Sequence, residues 1–149
     1  MFKKIPLLLA TLALAFGNTA WASEPEAKDA IAMVEKAAEM LKKTSFDAVK
    51  AKISAKDPEL NKGELYAYIR ALDGTTLAHP NAALVGKNLI DVPDADGKVF
   101  RREIVDLAKS KGKGWVDYKF KNPTSGKMES KSTYILRQGD YIVEAGIYK

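Results

Sequence analysis

The side chains that could do chemistry are few, because the chain has one histidine, His79, and no cysteine. Without cysteine there is no thiolate nucleophile, no thiolate metal site and no attachment point for a c-type haem. The sequence also contains neither a G-x-S-x-G nucleophile elbow nor an H-E-x-x-H zinc motif. It therefore predicts a protein that is not an enzyme and that has no cofactor and no metal site.

Three aspartates, Asp91, Asp94 and Asp96, faintly resemble a calcium-binding loop. The EF-hand pattern requires a glutamate at its twelfth position. Counted from Asp91, that position holds Arg102. We therefore interpret the three carboxylates as a solvated acidic turn.

Arg70, His79 and Lys131 are better suited to binding an anion than to catalysis. Arg70 lies on a predicted strand that a tight turn pairs with the strand of His79, and Lys131 lies inside a third predicted strand. A lysine with apolar neighbours is costly to bury unless it is paired. If the three converge, a carboxylate is the natural anion, because arginine binds it through two parallel hydrogen bonds. A buried structural role for His79 is an equal alternative.

All six tyrosines fall on predicted strands. A tyrosine offers an apolar ring and a polar hydroxyl, and packing in the core or across strands explains any single one of them. Six on one small sheet predict a wet, aromatic-lined pocket. They are Tyr66, Tyr68, Tyr118, Tyr134, Tyr141 and Tyr148.

The elements that must position these residues follow from the spacing of apolar side chains. Helices that precede and interrupt sequential antiparallel strands indicate an α+β fold with a sheet of about five strands. Ser23 and Glu26 have the spacing of a capping box for the first helix. Helices are predicted over 26–43, 46–53 and 98–109, and strands over 64–72, 75–79, 115–121, 127–137 and 141–148.

The stretch 73–97 is too irregular for a helix and too long for a hairpin turn. It holds His79 and Pro80, and a proline cannot donate to a central strand, so the strand should end there. Its apolar residues argue against disorder. A loop of this length in a compact domain is usually functional, and we interpret it as an ordered binding loop.

The N-terminal segment has the three parts of an export signal. Lys3 and Lys4 precede an apolar run, and Ala20-Trp21-Ala22 forms an A-x-A cleavage site. The prediction is a signal peptide at 1–22, cleaved after Ala22, and a single periplasmic domain at 23–149. Retention of the segment as a membrane anchor is the alternative, although the run is short for a bilayer span.

The chain carries a mild excess of positive charge. The net charge is +5, and the two lysines of the predicted signal account for part of it. The remaining lysines are scattered, without a dense basic stripe interleaved with aromatic residues. Nucleic-acid binding is therefore not predicted.

Three motifs carry a resemblance to a known family: DGTTLAHPNAALVGKNLIDVPDADGK, GKGWVDYKFKNPTSGK and ESKSTYILRQGDYIVEAGIYK. Together they resemble the single Cache domain, the extracytoplasmic PAS-like sensor module of bacterial chemoreceptors and histidine kinases. The resemblance covers nearly all of the chain after residue 22. It implies a long N-terminal helix packed on a curved antiparallel sheet. It also implies a pocket between sheet and capping loop that binds small metabolites, often short organic acids.

Eight pocket candidates follow from the resemblance, and alternation along the strands cannot place all of them inward. Trp115 and Tyr118 lie on opposite strand faces, as do Lys131 and Tyr134, so some must be packing residues. The candidates are Tyr66, Tyr68, Arg70, His79, Trp115, Tyr118, Lys131 and Tyr134.

The sequence carries no output domain, which distinguishes it from the usual receptor of the family. We therefore expect a domain that binds a small anionic metabolite and acts in signal transduction or chemotaxis through a partner. That partner would be a membrane receptor, a histidine kinase or a transporter. The alternative is a ligand-free interaction module whose N-terminal helix forms a homodimer or docks on a membrane partner.

Overall fold

A computed structural model describes residues 23–149, so the predicted signal peptide lies outside the described residues. No helix in this range is both long and apolar enough to cross a membrane. The helices are α1 (Ala27–Lys43), α2 (Phe46–Ser54) and α3 (Phe100–Ser110), with a 3₁₀ turn at Ala82–Leu84. The strands are β1 (Asn61–Lys62), β2 (Leu65–Ala71), β3 (Thr76–Ala78), β4 (Lys113–Lys121), β5 (Met128–Gln138) and β6 (Tyr141–Tyr148).

The strands form one antiparallel sheet in the order β1-β2-β6-β5-β4, with β3 paired to β2. The predicted α+β class is confirmed. The sheet has six strands rather than about five, because the two residues of β1 are too few to show alternation. The last strand, β6, is inserted between β2 and β5, so it lies at the centre of the sheet.

Side chains alternate across this sheet and divide it into two faces. Leu65, Ala67 and Ile69 of β2 share one face, as predicted, and join the larger core cluster beneath α1 and α2. We call this side the α1 face. The opposite side is covered by α3 and the loop 73–97, and we call it the pocket face. Its apolar cluster is formed by Phe100, Ile104, Val105, Ala108, Val116, Tyr118, Ile135 and Ile142.

The start of α1 lies one turn later than the capping-box pattern predicted. The N-cap is Glu26, and its N–H donates to Asp29 Oδ2 at 2.8 Å. The capping box is formed three residues later than predicted, between Glu26 and Asp29. The cap of α2 is Ser45, whose Oγ accepts from the N–H of Ala48.

The loop 73–97 is held to the sheet at both ends. Thr75 forms a bridge with Asn88, whose Nδ2 donates to the carbonyl of Asp73 at 3.0 Å. Asp94 accepts from the N–H of Lys98 and from the N–H of Lys119 on β4, each at 2.8 Å. The acidic turn is therefore a structural clamp, and within residues 23–149 no cluster of three or more acidic or histidine side chains could hold a metal ion.

Candidate ligand-binding site

Six of the eight predicted pocket residues come together on the pocket face. Alternate positions of β2 point there, and β5 and β4 each add a side chain from the paired positions Lys131 and Tyr118. His79 follows directly after β3, where Pro80 ends the strand. The six are Tyr66, Tyr68, Arg70, His79, Tyr118 and Lys131.

Lys131 is buried in an aromatic enclosure, with 2 % of its surface exposed. Its Nζ donates to the hydroxyl of Tyr66 at 3.0 Å and lies 4.4 Å from the centre of that ring. The centres of the Tyr68, Phe120 and Tyr148 rings lie 5.0–5.3 Å from the same nitrogen. The rings stabilise the charge. No ion pair to Lys131 forms within residues 23–149, and an ammonium has three donors, so it can bind a further acceptor.

Arg70 is already paired inside the protein, which the sequence did not predict. Its Nε donates to Glu144 Oε2 at 3.1 Å, and its Nη1 donates to the carbonyl of Gly74 at 3.3 Å. Both ionic side chains are buried. Burial raises the pKa of Glu144 against the opposing charge of Arg70. The sequence suggested that Arg70 binds a carboxylate through two parallel hydrogen bonds. Because its Nε and Nη1 already have partners inside the protein, the whole guanidinium is not free to do so.

A second buried guanidinium, that of Arg101 on α3, lies at the same site. Arg101 is 8 % exposed, stacks on the ring of Phe100 at 4.2 Å and donates to the carbonyl of Val92 at 3.3 Å. It makes no ion pair within the described residues. The sequence analysis missed it, although Arg101 shares the helical spacing of Ile104 and Val105, which form the buried face of α3.

His79 is a neutral hydrogen-bond donor in this site. Its Nδ1 accepts from the N–H of Asn81 at 2.9 Å, which places the proton on Nε2. Burial and the positive charges of Lys131, Arg70 and Arg101 lower the pKa of His79 from 6.5 to about 3. At neutral pH the ring can therefore donate Nε2–H to an anion without changing the net charge of the site.

The low pKa of His79 predicts a specific loss of stability in acid. Above pH 6.5 the ring is neutral in both the folded and the unfolded chain, so protonation of His79 does not lower the free energy of unfolding there. As the pH falls below 6.5 only the unfolded chain takes up the proton, and the free energy of unfolding drops by about 1.4 kcal/mol per pH unit. By pH 5 the loss amounts to about 2 kcal/mol. Urea denaturation at several pH values measures it.

The matched control for this prediction is His79→Gln, because the chain has no other histidine. Carboxylates that titrate in acid change the stability of both proteins equally, so their effect cancels when the two are compared. Wild type should lose stability faster than the variant between pH 6.5 and pH 5. Parallel curves would contradict the low pKa.

Three hydroxyl groups form a buried network beneath the charged side chains. The hydroxyls of Tyr68 and Tyr118 share a hydrogen bond of 2.9 Å, and Tyr118 shares another of 2.8 Å with Thr133 Oγ1. Burial raises the pKa of Tyr68 well above its usual value. The network is therefore neutral, and its hydroxyls can turn to donate or to accept.

Trp115 and Tyr134, the other two predicted pocket residues, lie on the α1 face. They are directly paired across β4 and β5, with ring centres 5.3 Å apart. Tyr134 belongs to the core under α1, and Trp115 is 37 % exposed. Because the neighbouring pair Tyr118–Lys131 points to the pocket face, alternation places both aromatics away from the cavity.

Two spaces open at this site, and they share a wall. The inner cavity has a volume of about 20 Å³, which gives room for about one water molecule. Its polar lining includes Tyr68, Arg70, His79, Arg101, Tyr118 and Lys131. Beside it lies an outer groove of about 500 Å³. His79, Leu84 and Phe120 border both spaces.

Comparison with protein families gives one match across the described chain. The family described as Single Cache domain 2 matches residues 24–148. No curated protein sequence matches the chain.

Solved structures share the fold over most of its length. A structure described as the periplasmic sensor domain of a chemotaxis protein is 25% identical, with a TM-score of 0.63, and the match covers 81% of this chain and 88% of that one. A Cache chemosensory domain described as recognising carboxylic acids is 23% identical, with a TM-score of 0.69 and coverages of 81% and 91%. A methyl-accepting chemotaxis protein from Vibrio parahaemolyticus is 22% identical, with a TM-score of 0.65 and coverages of 81% and 84%.

Proposed function

The chain belongs to the single Cache domain family of sensory ligand-binding domains, and on that premise we propose that it binds a small carboxylate beneath its loop. The observation that carries the proposal is the pair of buried cations, Lys131 and Arg101, which border one cavity and form no ion pair with any residue that the structure describes. Nε2–H of His79 adds a neutral donor. These groups are the complement of a small anion.

The charge balance of the site favours an anionic ligand. Among residues 23–149, Arg70, Arg101 and Lys131 are buried with a single carboxylate, Glu144, so two positive charges stay uncompensated there. Buried charge is costly unless it is paired, and an entering anion supplies the missing partner. A carboxylate can accept several hydrogen bonds at once, as this arrangement of donors requires. The carboxylic-acid recognition described for one structural neighbour motivates the same choice.

The cellular role follows from the family. Cache domains sense ligands outside the cytoplasm, and we propose that this one works in the periplasm after removal of its signal peptide. Ligand binding would shift residues 77–89 of the loop. A membrane receptor, a histidine kinase or a transporter would then read the bound state.

A thermal-shift and calorimetric series with acetate, propionate, pyruvate and lactate tests the proposal. At a concentration one hundred times Kd, a bound ligand should stabilise the protein by about 2.7 kcal/mol. Lys131→Met should weaken binding by at least about tenfold, because it removes a buried charged hydrogen bond. Methionine suits the aromatic surroundings, so the variant should fold.

Lys87→Met is the matched control, since Lys87 is an exposed lysine of the loop 73–97 that covers the site. It should bind as wild type does. The proposal fails if none of the four carboxylates stabilises wild type, or if Lys131→Met binds them equally well.

A ligand-free interaction module is the second candidate, and the size of the inner cavity favours it. Ligand pockets usually enclose about 300–1,000 Å³, far more than the 20 Å³ inside this site. Against a homodimer through α1, the outward side of that helix is charged, and Glu39 pairs there with Lys42 and Lys43. Carboxylate binding in the titrations would exclude this candidate.

A further inference from the structure

The outer groove has the size and the charge of a binding site, although no sequence motif pointed to it. It is formed where the end of α2, the β1–β2 turn, the 3₁₀ turn and the end of β4 meet. Lys56 and Lys121 are the charged residues that border it, and no acidic side chain in the described range 23–149 does. Its volume of about 500 Å³ falls within the usual range for ligand sites of about 300–1,000 Å³.

Neither lysine is neutralised within the described part of the chain. The acidic residue next to Lys56 is Asp57, and that carboxylate pairs with Lys52 at 2.9 Å. The groove also presents the amide groups of Asn61 and Asn81. Two basic residues and neutral donors therefore border the groove.

Lys56 occupies a backbone position that suits glycine. With a φ of 55°, it is the one residue other than glycine with positive φ among residues 23–149. The N–H of Lys56 bonds to the carbonyl of Ile53, and that of Asp57 to the carbonyl of Lys52. This is the Schellman ending of a helix, in which glycine is usual because it avoids the strain of the left-handed conformation. A lysine here opposes local stability, and it borders the groove.

We propose that the outer groove is a second anionic subsite, so that the ligand is an elongated dianion with a carboxylate at each end. One carboxylate reaches Lys131 and Arg101 in the inner cavity, and the other lies between Lys56 and Lys121. The body of the ligand passes the shared wall of His79, Leu84 and Phe120, whose apolar surfaces suit a hydrocarbon chain. This inference rests on the proposed function, since it requires the inner cavity to bind a carboxylate.

Isothermal titration with succinate, glutarate and adipate tests the proposal, each beside the monocarboxylate of the same chain length. The best dicarboxylate should bind more tightly than its matched monocarboxylate. Lys56→Gly should reduce that preference by about fivefold, the upper end for a largely exposed ion pair. Lys121→Ala should reduce it similarly, and Lys87→Ala, which removes a charge elsewhere, should leave it unchanged.

Thermal unfolding of the ligand-free variants separates binding from folding. Lys56→Gly should raise the melting temperature, because glycine relieves the left-handed backbone, while it weakens dicarboxylate binding. A purely structural lysine would not give this opposite response.

The outcomes distinguish the two claims. Equal affinity for dicarboxylates and monocarboxylates, or a preference that survives both groove variants, would overturn the second subsite and leave the proposed function standing. If wild type binds neither kind of carboxylate, both claims fall.

Discussion

Replacing Glu144 by alanine is expected to lower the free energy of unfolding by about 3–5 kcal/mol. The substitution leaves the guanidinium of Arg70 buried without its ionic partner, since the Nε of Arg70 donates to Glu144 Oε2 and both side chains are almost fully inaccessible to solvent. The cost of burying an uncompensated charge sets the size of the effect. Urea denaturation at neutral pH measures it.

Two variants separate the charge from the packing. Glu144→Gln keeps the size of the side chain and an oxygen that can accept from Arg70, so its loss should be smaller than that of Glu144→Ala. The double variant Arg70→Met/Glu144→Leu removes both charges and should recover much of the stability, because an apolar pair often replaces a buried ion pair without loss. Substitutions on the surface usually cost less than about 1 kcal/mol. A cost that small for Glu144→Ala would contradict the buried ion pair.

The elements of the fold could be predicted because each depends on a local pattern. Alternation in 64–72 separated Leu65, Ala67 and Ile69 from the three side chains of the pocket face, and β6 extends over the predicted residues. Helical spacing located all three helices. Such patterns depend on neighbours a few residues apart, which is the range that a sequence reveals directly.

The partners within the site could not be predicted, because they depend on the order of the strands. Turn chemistry joins strands that are adjacent in the chain, but β6 is inserted between β5 and β2. That insertion brings Glu144 to Arg70, although 74 positions separate them. Glu144 had the same signal as Lys131, a charge within an apolar strand, yet only the register shows which cation it meets.

Strand order also explains how Lys131 reaches Tyr66. Lys131 lies on β5, and Tyr66 lies on β2 just before the part of that strand that pairs with β6, so the lysine must cross β6. It crosses at Gly146, which is paired with Thr133. A Cβ at Gly146 would lie 2.5 Å from Lys131 Cε and 3.0 Å from the carbonyl of Ser132, and it would also overlap Thr133 Oγ1. Because Gly146 has no side chain, the side chain of Lys131 can pass over β6 at this position.

Gly146→Ala should therefore disturb both stability and binding. The added methyl overlaps two side chains in a closely packed region, and we expect a loss of about 3 kcal/mol, the upper part of the range for overpacked cores. Displacement of the Lys131 ammonium from its aromatic surroundings should weaken carboxylate binding by at least about tenfold, as direct removal of the charge would. Urea denaturation and calorimetric titration with the best carboxylate measure the two effects.

A double-mutant cycle with Lys131→Ala tests whether the contact with Lys131 causes the loss of stability in Gly146→Ala. The φ of Gly146 lies outside the left-handed region that disfavours other residues, so the cost of alanine comes from the overlap of the added methyl with Lys131, Thr133 and the carbonyl of Ser132. Truncating Lys131 removes Cε, and the cost of Gly146→Ala should then fall by about 1 kcal/mol or more, as is usual for residues in contact. An equal cost in both backgrounds would show that Gly146 does not position the lysine. A reduced cost together with lost binding would establish that this glycine shapes the site through Lys131.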